Sequence, residues 1–290
     1  MKRQVLAAIL VVAAILSFTL GYAAPVQNIR WTPHNMSNDT GVPALARFWV
    51  TTEEQICIFC HTPHNADATA KVPLWNKVLP DNALPWDMYT SSSTLSKTSK
   101  KVKVPALESL LCLSCHDGRT ATNVLHNAKS GNTTLYPGES AIDVGGGGFY
   151  EGFDNLAGMT GVGMGFVTFY GAYGKNLGIK DRAAADVDGG SAENRYYGRN
   201  LSDDHPISMS YEAVYGEKGA KDFVASPAGI RFYGGSARRV ECGSCHDPHV
   251  AYGYKANGTR DASIPGDPAY RPFLRVSNTG SRLCLACHVK

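Results

Sequence analysis

The eight cysteines of the chain all lie in the pattern C-x-x-C-H, in which a histidine directly follows the second cysteine. In this pattern two thiols bond covalently to the vinyl groups of a c-type haem, and the histidine occupies one axial position of the iron. The sequence therefore predicts four covalently bound haem c groups. The four sets are Cys57, Cys60 and His61; Cys112, Cys115 and His116; Cys242, Cys245 and His246; and Cys284, Cys287 and His288.

Three other uses of paired cysteines explain this pattern less well. Structural zinc sites do not require a histidine directly after every second cysteine. Disulfides within such close pairs would form small strained loops and would connect no distant segments. A thioredoxin-like unit carries its C-x-x-C motif once, whereas this chain carries the motif four times.

Five of the nine histidines lie outside the motifs and could bind the opposite, distal face of an iron. Four six-coordinate haems need four such ligands, so the chain has one histidine to spare. His34 and His205 lie in polar loops marked by proline, where an imidazole has little structural purpose. We expect the distal ligands to be His34, His64, His205 and His249, with His126 as the spare histidine. The methionines are expected to be packing residues.

His64 follows His61 by three residues and cannot reach the opposite face of the same iron without passing around the porphyrin edge. It is therefore expected to bind a different haem. His249 follows His246 at the same spacing and is expected to do likewise. Ligands for two haems that lie three residues apart require the two macrocycles to be in close contact, as electron transfer along a chain of haems needs.

Histidine on both faces of an iron leaves no open position for a substrate. We therefore expect an electron-transfer protein with no catalytic residues, and not an enzyme. The formal net charge is only +3, and no basic stripe indicates nucleic acid as a partner.

The N-terminal segment has the features of a secretory signal peptide. Two basic residues precede an apolar run over Val5–Leu20, and small residues follow. We expect cleavage after Ala23, which gives a signal peptide at 1–23 and a single tetrahaem cytochrome domain at 24–290. An uncleaved membrane anchor is the alternative. Export agrees with haem attachment, which takes place outside the cytoplasm.

The elements that position these residues are expected to be small. Glycine is plentiful at 30 residues and long amphipathic periods are scarce. We predict mostly coil with short helices and few strands, wrapped around a stacked chain of four haems that supply the hydrophobic core. Each half of the chain has a C-H-x-P-H unit followed by an L-C-L-x-C-H unit. This repeat indicates two-haem modules around 34–126 and 203–290, joined by a Gly/aromatic-rich insert at 127–202.

The chain resembles the doubled-CXXCH family of multihaem cytochromes. The segments that carry the resemblance are HNMS at 34–37, CIFCHTPHNA at 57–66, PLWN at 73–76, LCLSCHDG at 111–118, DDHPIS at 203–208, ECGSCHDPH at 241–249 and LCLACH at 283–288. Within the family, the length, the signal peptide and the four motifs are similar to those of tetrahaem extracellular cytochromes that polymerise into nanowires, the outer-membrane cytochrome filaments of metal-reducing bacteria.

This resemblance implies a homopolymeric filament with a continuous haem stack, in which all irons are bis-histidine and one axial histidine is donated between subunits. His64 is the favoured donor and His34 the alternative. Electrons would pass to redox partners and extracellular acceptors from a cell-surface filament. The alternative function is a monomeric periplasmic tetrahaem shuttle to a terminal reductase, and a third is an enzyme subunit with one open iron.

Overall fold

The structure, a computed structural model, describes residues 25–37, 54–70, 72, 74–77, 79–80, 86–89, 93–116, 201–202, 204–255 and 259–290. The predicted signal peptide, His126 and all but the last two residues of the 127–202 insert lie outside these residues. None of the helices in the described part of the chain is long and apolar enough to cross a membrane.

The α-helices in the described residues are short, and the longest has ten residues. They are α1 at Lys97–Lys100, α2 at Leu107–His116, α3 at Tyr211–Lys218, α4 at Cys242–Cys245 and α5 at Arg282–Leu285. Single turns of 3-10 helix lie between them, at Ile29–Trp31, Ile56–Phe59, Ala68–Ala70, Gly235–Ala237, Pro268–Tyr270 and Thr279–Ser281.

The strands in the same residues are two residues long and form two antiparallel pairs. The strands are β1 at Val26–Gln27, β2 at Met209–Ser210, β3 at Arg239–Val240 and β4 at Val250–Ala251. β1 pairs with β4, and β2 pairs with β3. The first pair fastens the N-terminal segment that carries His34 to the segment directly after His249.

Local side chains explain where the best-defined helices begin and end. Ser210 caps α3, because its hydroxyl accepts a hydrogen bond from the Ala213 amide at 3.2 Å. Gly219 directly follows the helix and has a φ of 77°, a conformation that glycine adopts without the steric clash of a Cβ atom. Glu217 in α3 accepts hydrogen bonds from the Lys97 and Thr98 amides at 2.7 and 2.8 Å, which joins α1 to α3.

Two small hydrophobic clusters pack beside the motifs. One contains Trp86, Met88, Tyr89, Leu113 and Leu201, and the other contains Met209, Tyr211, Val214 and Val240. Leu113 lies inside the second C-x-x-C-H motif, so the first cluster packs directly on α2. The described residues are thus mostly coil with short helices and few strands, and the wrapping of this chain around haems stays a prediction.

Candidate haem-binding site

The C-x-x-C-H segments share one backbone turn. The amide of the motif histidine donates to the carbonyl of the first cysteine for His61, His246 and His288, at 2.8, 3.0 and 2.9 Å. The remaining motif, Cys112–His116, lies wholly within α2. Residues at positions i, i+3 and i+4 of such a turn lie on one face. Both thiols and the imidazole of each motif therefore face the same side, as binding to one macrocycle requires.

Three of the motifs are also held by the same backbone bridge. Motif histidines His61, His246 and His288 form antiparallel bridges with Trp75, Leu274 and Phe223. Each bridge has two backbone hydrogen bonds. In the first motif, for example, the Thr62 amide donates to the Leu74 carbonyl, and the Asn76 amide donates to the Cys60 carbonyl. The third and fourth motifs have the equivalent pairs of bonds. The six distances are 2.7 to 3.0 Å. The bridge fixes the backbone of the histidine directly after the helical turn.

The thiols are all free, and electrostatic effects between them indicate which motifs are neighbours. Burial raises the pKa of Cys60 to about 12, and the nearby Cys115 thiol raises it further. A hydrogen bond with Cys242 is the main reason that the pKa of Cys112 is raised. The first motif therefore neighbours the second, and the second neighbours the third.

The third motif lies next to the fourth, because thiols of the fourth motif shift the pKa of a thiol in the third. Burial raises the pKa of Cys245 to about 11, and the Cys287 and Cys284 thiols add to the effect. Because each thiol would be bonded to the edge of a macrocycle, this succession predicts that four haems would follow one another in sequence order.

His34 and His116 form the first candidate axial pair. Their ring centroids lie 6.1 Å apart. Two imidazoles that bind one metal ion from opposite sides, with metal–nitrogen bonds of about 2 Å, have ring centroids roughly 6 Å apart. Burial lowers the pKa of His34 to about 3, and the charges of His116, His249 and His246 lower it further. The neutral imidazole is the form that binds a metal.

His205 and His288 form a second pair with the same spacing, since their ring centroids lie 6.3 Å apart. The Nδ1 atom of His205 lies 3.0 Å from the Pro206 carbonyl. A carbonyl only accepts, so Nδ1 carries the proton and Nε2 presents its lone pair. Burial lowers the pKa of both His205 and His288, which also favours the neutral form.

His246 and His249 have the same kind of anchor at Nδ1. That atom lies 2.9 Å from the Pro272 carbonyl in His246 and 2.7 Å from Asp247 Oδ1 in His249. Asp247 is also paired with Arg275 at 2.9 Å. The hydrogen bond with His249 is the main reason that the pKa of Asp247 is lowered to about 2.

His249 and His64 lie in different surroundings. Burial lowers the pKa of His61, and the nearby positive charge of His249 lowers it further, so His249 lies close to the first motif. His64 is exposed, and its carbonyl accepts a hydrogen bond from the Thr62 hydroxyl at 2.8 Å.

The residues fit the predicted group. The thiols are free, the motif turns present them beside the motif histidines, and two histidine pairs have the spacing that a shared iron needs. Buried Nδ1 of His34 has no hydrogen-bond partner among the described residues. In that part of the chain, no group of three or more His, Cys, Asp or Glu side chains could hold a bare metal ion.

Sequence reasoning missed the residues that orient the ligands. Asp247 and Pro272 bind the Nδ1 atoms of His249 and His246, and neither was singled out from the sequence. Asp247 had a local signal, because the segment CHDPH places a carboxylate two residues before a histidine. Pro272 had none, because the contact joins residues 26 positions apart.

Comparison with protein-family models finds no match for this chain, and comparison with curated proteins finds none either. The resemblance to doubled-CXXCH cytochromes therefore rests on the motifs alone.

Proposed function

We propose that this protein is an exported tetrahaem c-type cytochrome that transfers electrons and polymerises into an extracellular filament. The observation that carries the proposal is the combination of four free C-x-x-C-H motifs with two histidine pairs whose ring centroids lie 6.1 and 6.3 Å apart. In addition, a thiol of each motif lies near enough to shift the pKa of a thiol in the next motif, which indicates a succession of motifs. A protein that passes electrons needs its redox groups in contact, and this succession would put four of them in line.

The residues have separate roles in this proposal. The eight cysteines would bind the haems covalently, and each motif histidine would bind one iron. When bound, haem supplies a one-electron iron couple, and a second histidine on each iron leaves no site for a substrate. His34 would hold the position opposite His116, and His205 the position opposite His288. The described geometry supports these two pairings through ring separations of 6.1 and 6.3 Å.

Polymerisation is supported by exposed apolar side chains near the first and the last motif. Large apolar side chains are exposed beside the first motif, at Leu74, within the last motif, at Leu285, and directly after it, at Val289; Val26 and Val104 are exposed elsewhere. A head-to-tail contact between different surfaces of identical subunits forms an open filament when the rotation does not close a ring. His64 is also exposed near the first motif. We propose that it donates the axial ligand across this contact.

Optical spectroscopy of the purified native protein tests electron transfer against catalysis. Because every iron is assigned two histidines, the spectrum should be low-spin in both redox states and unchanged by carbon monoxide. Intact mass should include four covalent haems on a chain that starts at Ala24. A high-spin band that responds to carbon monoxide would contradict the assignment and favour an enzyme with one open iron.

A further inference from the structure

Glu241 is a buried carboxylate directly before Cys242, the first cysteine of the third motif. Its residue is only 1% exposed. One carboxylate oxygen accepts from the Ser109 and Ser208 hydroxyls at 2.6 and 2.8 Å, and the other accepts from Arg239 Nε at 2.9 Å. The Glu241 amide in turn donates to the Ser244 hydroxyl at 2.9 Å. Each carboxylate oxygen is therefore hydrogen-bonded.

The charge of Glu241 is only partly balanced. Arg239 is shared with a second carboxylate, because its Nη2 atom lies 2.7 Å from Glu108 Oε2. Two carboxylates and one guanidinium leave a formal charge of −1 on this cluster. Arg239 and Glu108 are partly exposed, whereas Glu241 is not. The net negative charge of the cluster therefore includes a carboxylate, that of Glu241, which water screens little.

The same cluster joins the second and third motifs. Ser109 lies in α2, one turn before Cys112, and its hydroxyl also accepts from the Cys242 amide at 3.2 Å. Glu241 thus contacts both the helix of one motif and the N-terminal end of the next.

The field of Glu241 reaches the sulfur that would carry the haem. A hydrogen bond with Cys112 lowers the pKa of Cys242, while the negative charge of Glu241 acts in the opposite direction and raises it. Glu241 therefore opposes additional negative charge at this thiol. An electron that arrives on a haem bonded to Cys242 is also additional negative charge, and the same field should oppose it.

We propose that Glu241 tunes the electron chain by lowering the reduction potential of the haem attached through Cys242 and Cys245, with Arg239 limiting the effect. This inference rests on the proposed function. Reduction takes one electron from the external donor and converts ferric to ferrous iron, with no bond formed or broken. A buried carboxylate beside the attachment site of that haem would stabilise the ferric state.

Glu241 also has a structural role as the N-cap residue of α4, but a helix cap needs a hydrogen-bonding side chain and not a charge. Burying an ion pair costs several kcal/mol in desolvation, and apolar residues of similar size often stabilise a protein as well or better. Setting the reduction potential of one haem is a function that would require the charge of Glu241.

The test is a spectroscopic redox titration of the native holoprotein and of the variants Glu241→Gln and Arg239→Gln. Glu241→Gln should raise the midpoint of one haem, changing its ratio of oxidised to reduced iron about tenfold at a fixed potential, which is 59 mV for one electron. Arg239→Gln should lower the midpoint of the same haem. The control is Glu217→Gln, since Glu217 is an exposed carboxylate that caps α1, and it should leave all midpoints unchanged.

The opposite signs separate electrostatic tuning from structural damage. A loosened structure would admit water around the haem in both variants and move both midpoints in one direction, which would overturn the inference. Unchanged midpoints would overturn it too. If Glu241→Gln does not mature, Arg239→Gln decides alone, because only a lowered midpoint supports the proposal. Intact mass keeps the two proposals distinguishable, since a wild-type chain without four haems would refute the proposed function itself.

Discussion

At the scale of single residues, the sequence predicts which histidines bind iron, but only the structure suggests which two histidines share one iron. The four motifs need four distal ligands, and the polar, proline-marked loops around His34 and His205 make these two residues candidates. Their candidate partners, His116 and His288, are 82 and 83 positions away along the chain. No local pattern encodes such pairings, because they depend on how distant segments pack.

The pairing of His205 with His288 predicts the result of one substitution. His205→Ala should remove the sixth ligand from one iron and leave a single haem high-spin and reactive with carbon monoxide. Added imidazole should restore the low-spin spectrum, because it can occupy the vacated position, and this rescue is the control for misfolding. Optical and paramagnetic resonance spectra measure both effects. Four low-spin haems in the variant without imidazole would show that His205 is not a ligand.

At the scale of elements, the turn of each motif could be predicted from sequence, but the bridge that holds it could not. The C-x-x-C-H spacing is itself helical, so a short turn follows from the motif. The bridge partners Trp75, Leu274 and Phe223 lie 14, 28 and 65 positions from their histidines and share no residue type. The contacts are made by backbone atoms, which leave no mark on the amino-acid sequence.

The bridge at the fourth motif predicts an effect of removing one backbone donor. The Val224 amide donates to the Cys287 carbonyl at 2.8 Å. Val224→Pro removes this donor and leaves the carbonyl only the longer hydrogen bond from the Tyr211 hydroxyl at 3.3 Å. It should therefore lower the free energy of unfolding by about 1 kcal/mol. Val224→Ala keeps the amide and is the matched control. Denaturant unfolding of the holoprotein, followed by haem absorption, measures the difference. Equal midpoints for the two variants would contradict a stabilising role for the bridge.

At the scale of the whole molecule, the repeat in the sequence predicts two modules, and a thiol of each motif lies near enough to shift the pKa of a thiol in the next motif. The contact between Cys112 and Cys242 joins the second motif to the third, so the boundary between the predicted modules is also a point of contact. The Glu241 cluster lies at this same boundary. Polymerisation, by contrast, depends on a second copy of the chain, and it stays a proposal that rests on the resemblance and on exposed apolar side chains.

Cryo-electron microscopy of the native secreted protein tests the central claim most directly. The account predicts a filament with four haems per subunit in the order of their motifs. His34 and His116 should flank one iron and His205 and His288 another, and His64 should reach an iron of the neighbouring subunit. Discrete particles at high protein concentration would contradict the filament and favour a monomeric shuttle. An iron without a second protein ligand, in either form, would contradict the assignment of the protein as an electron carrier with no open site.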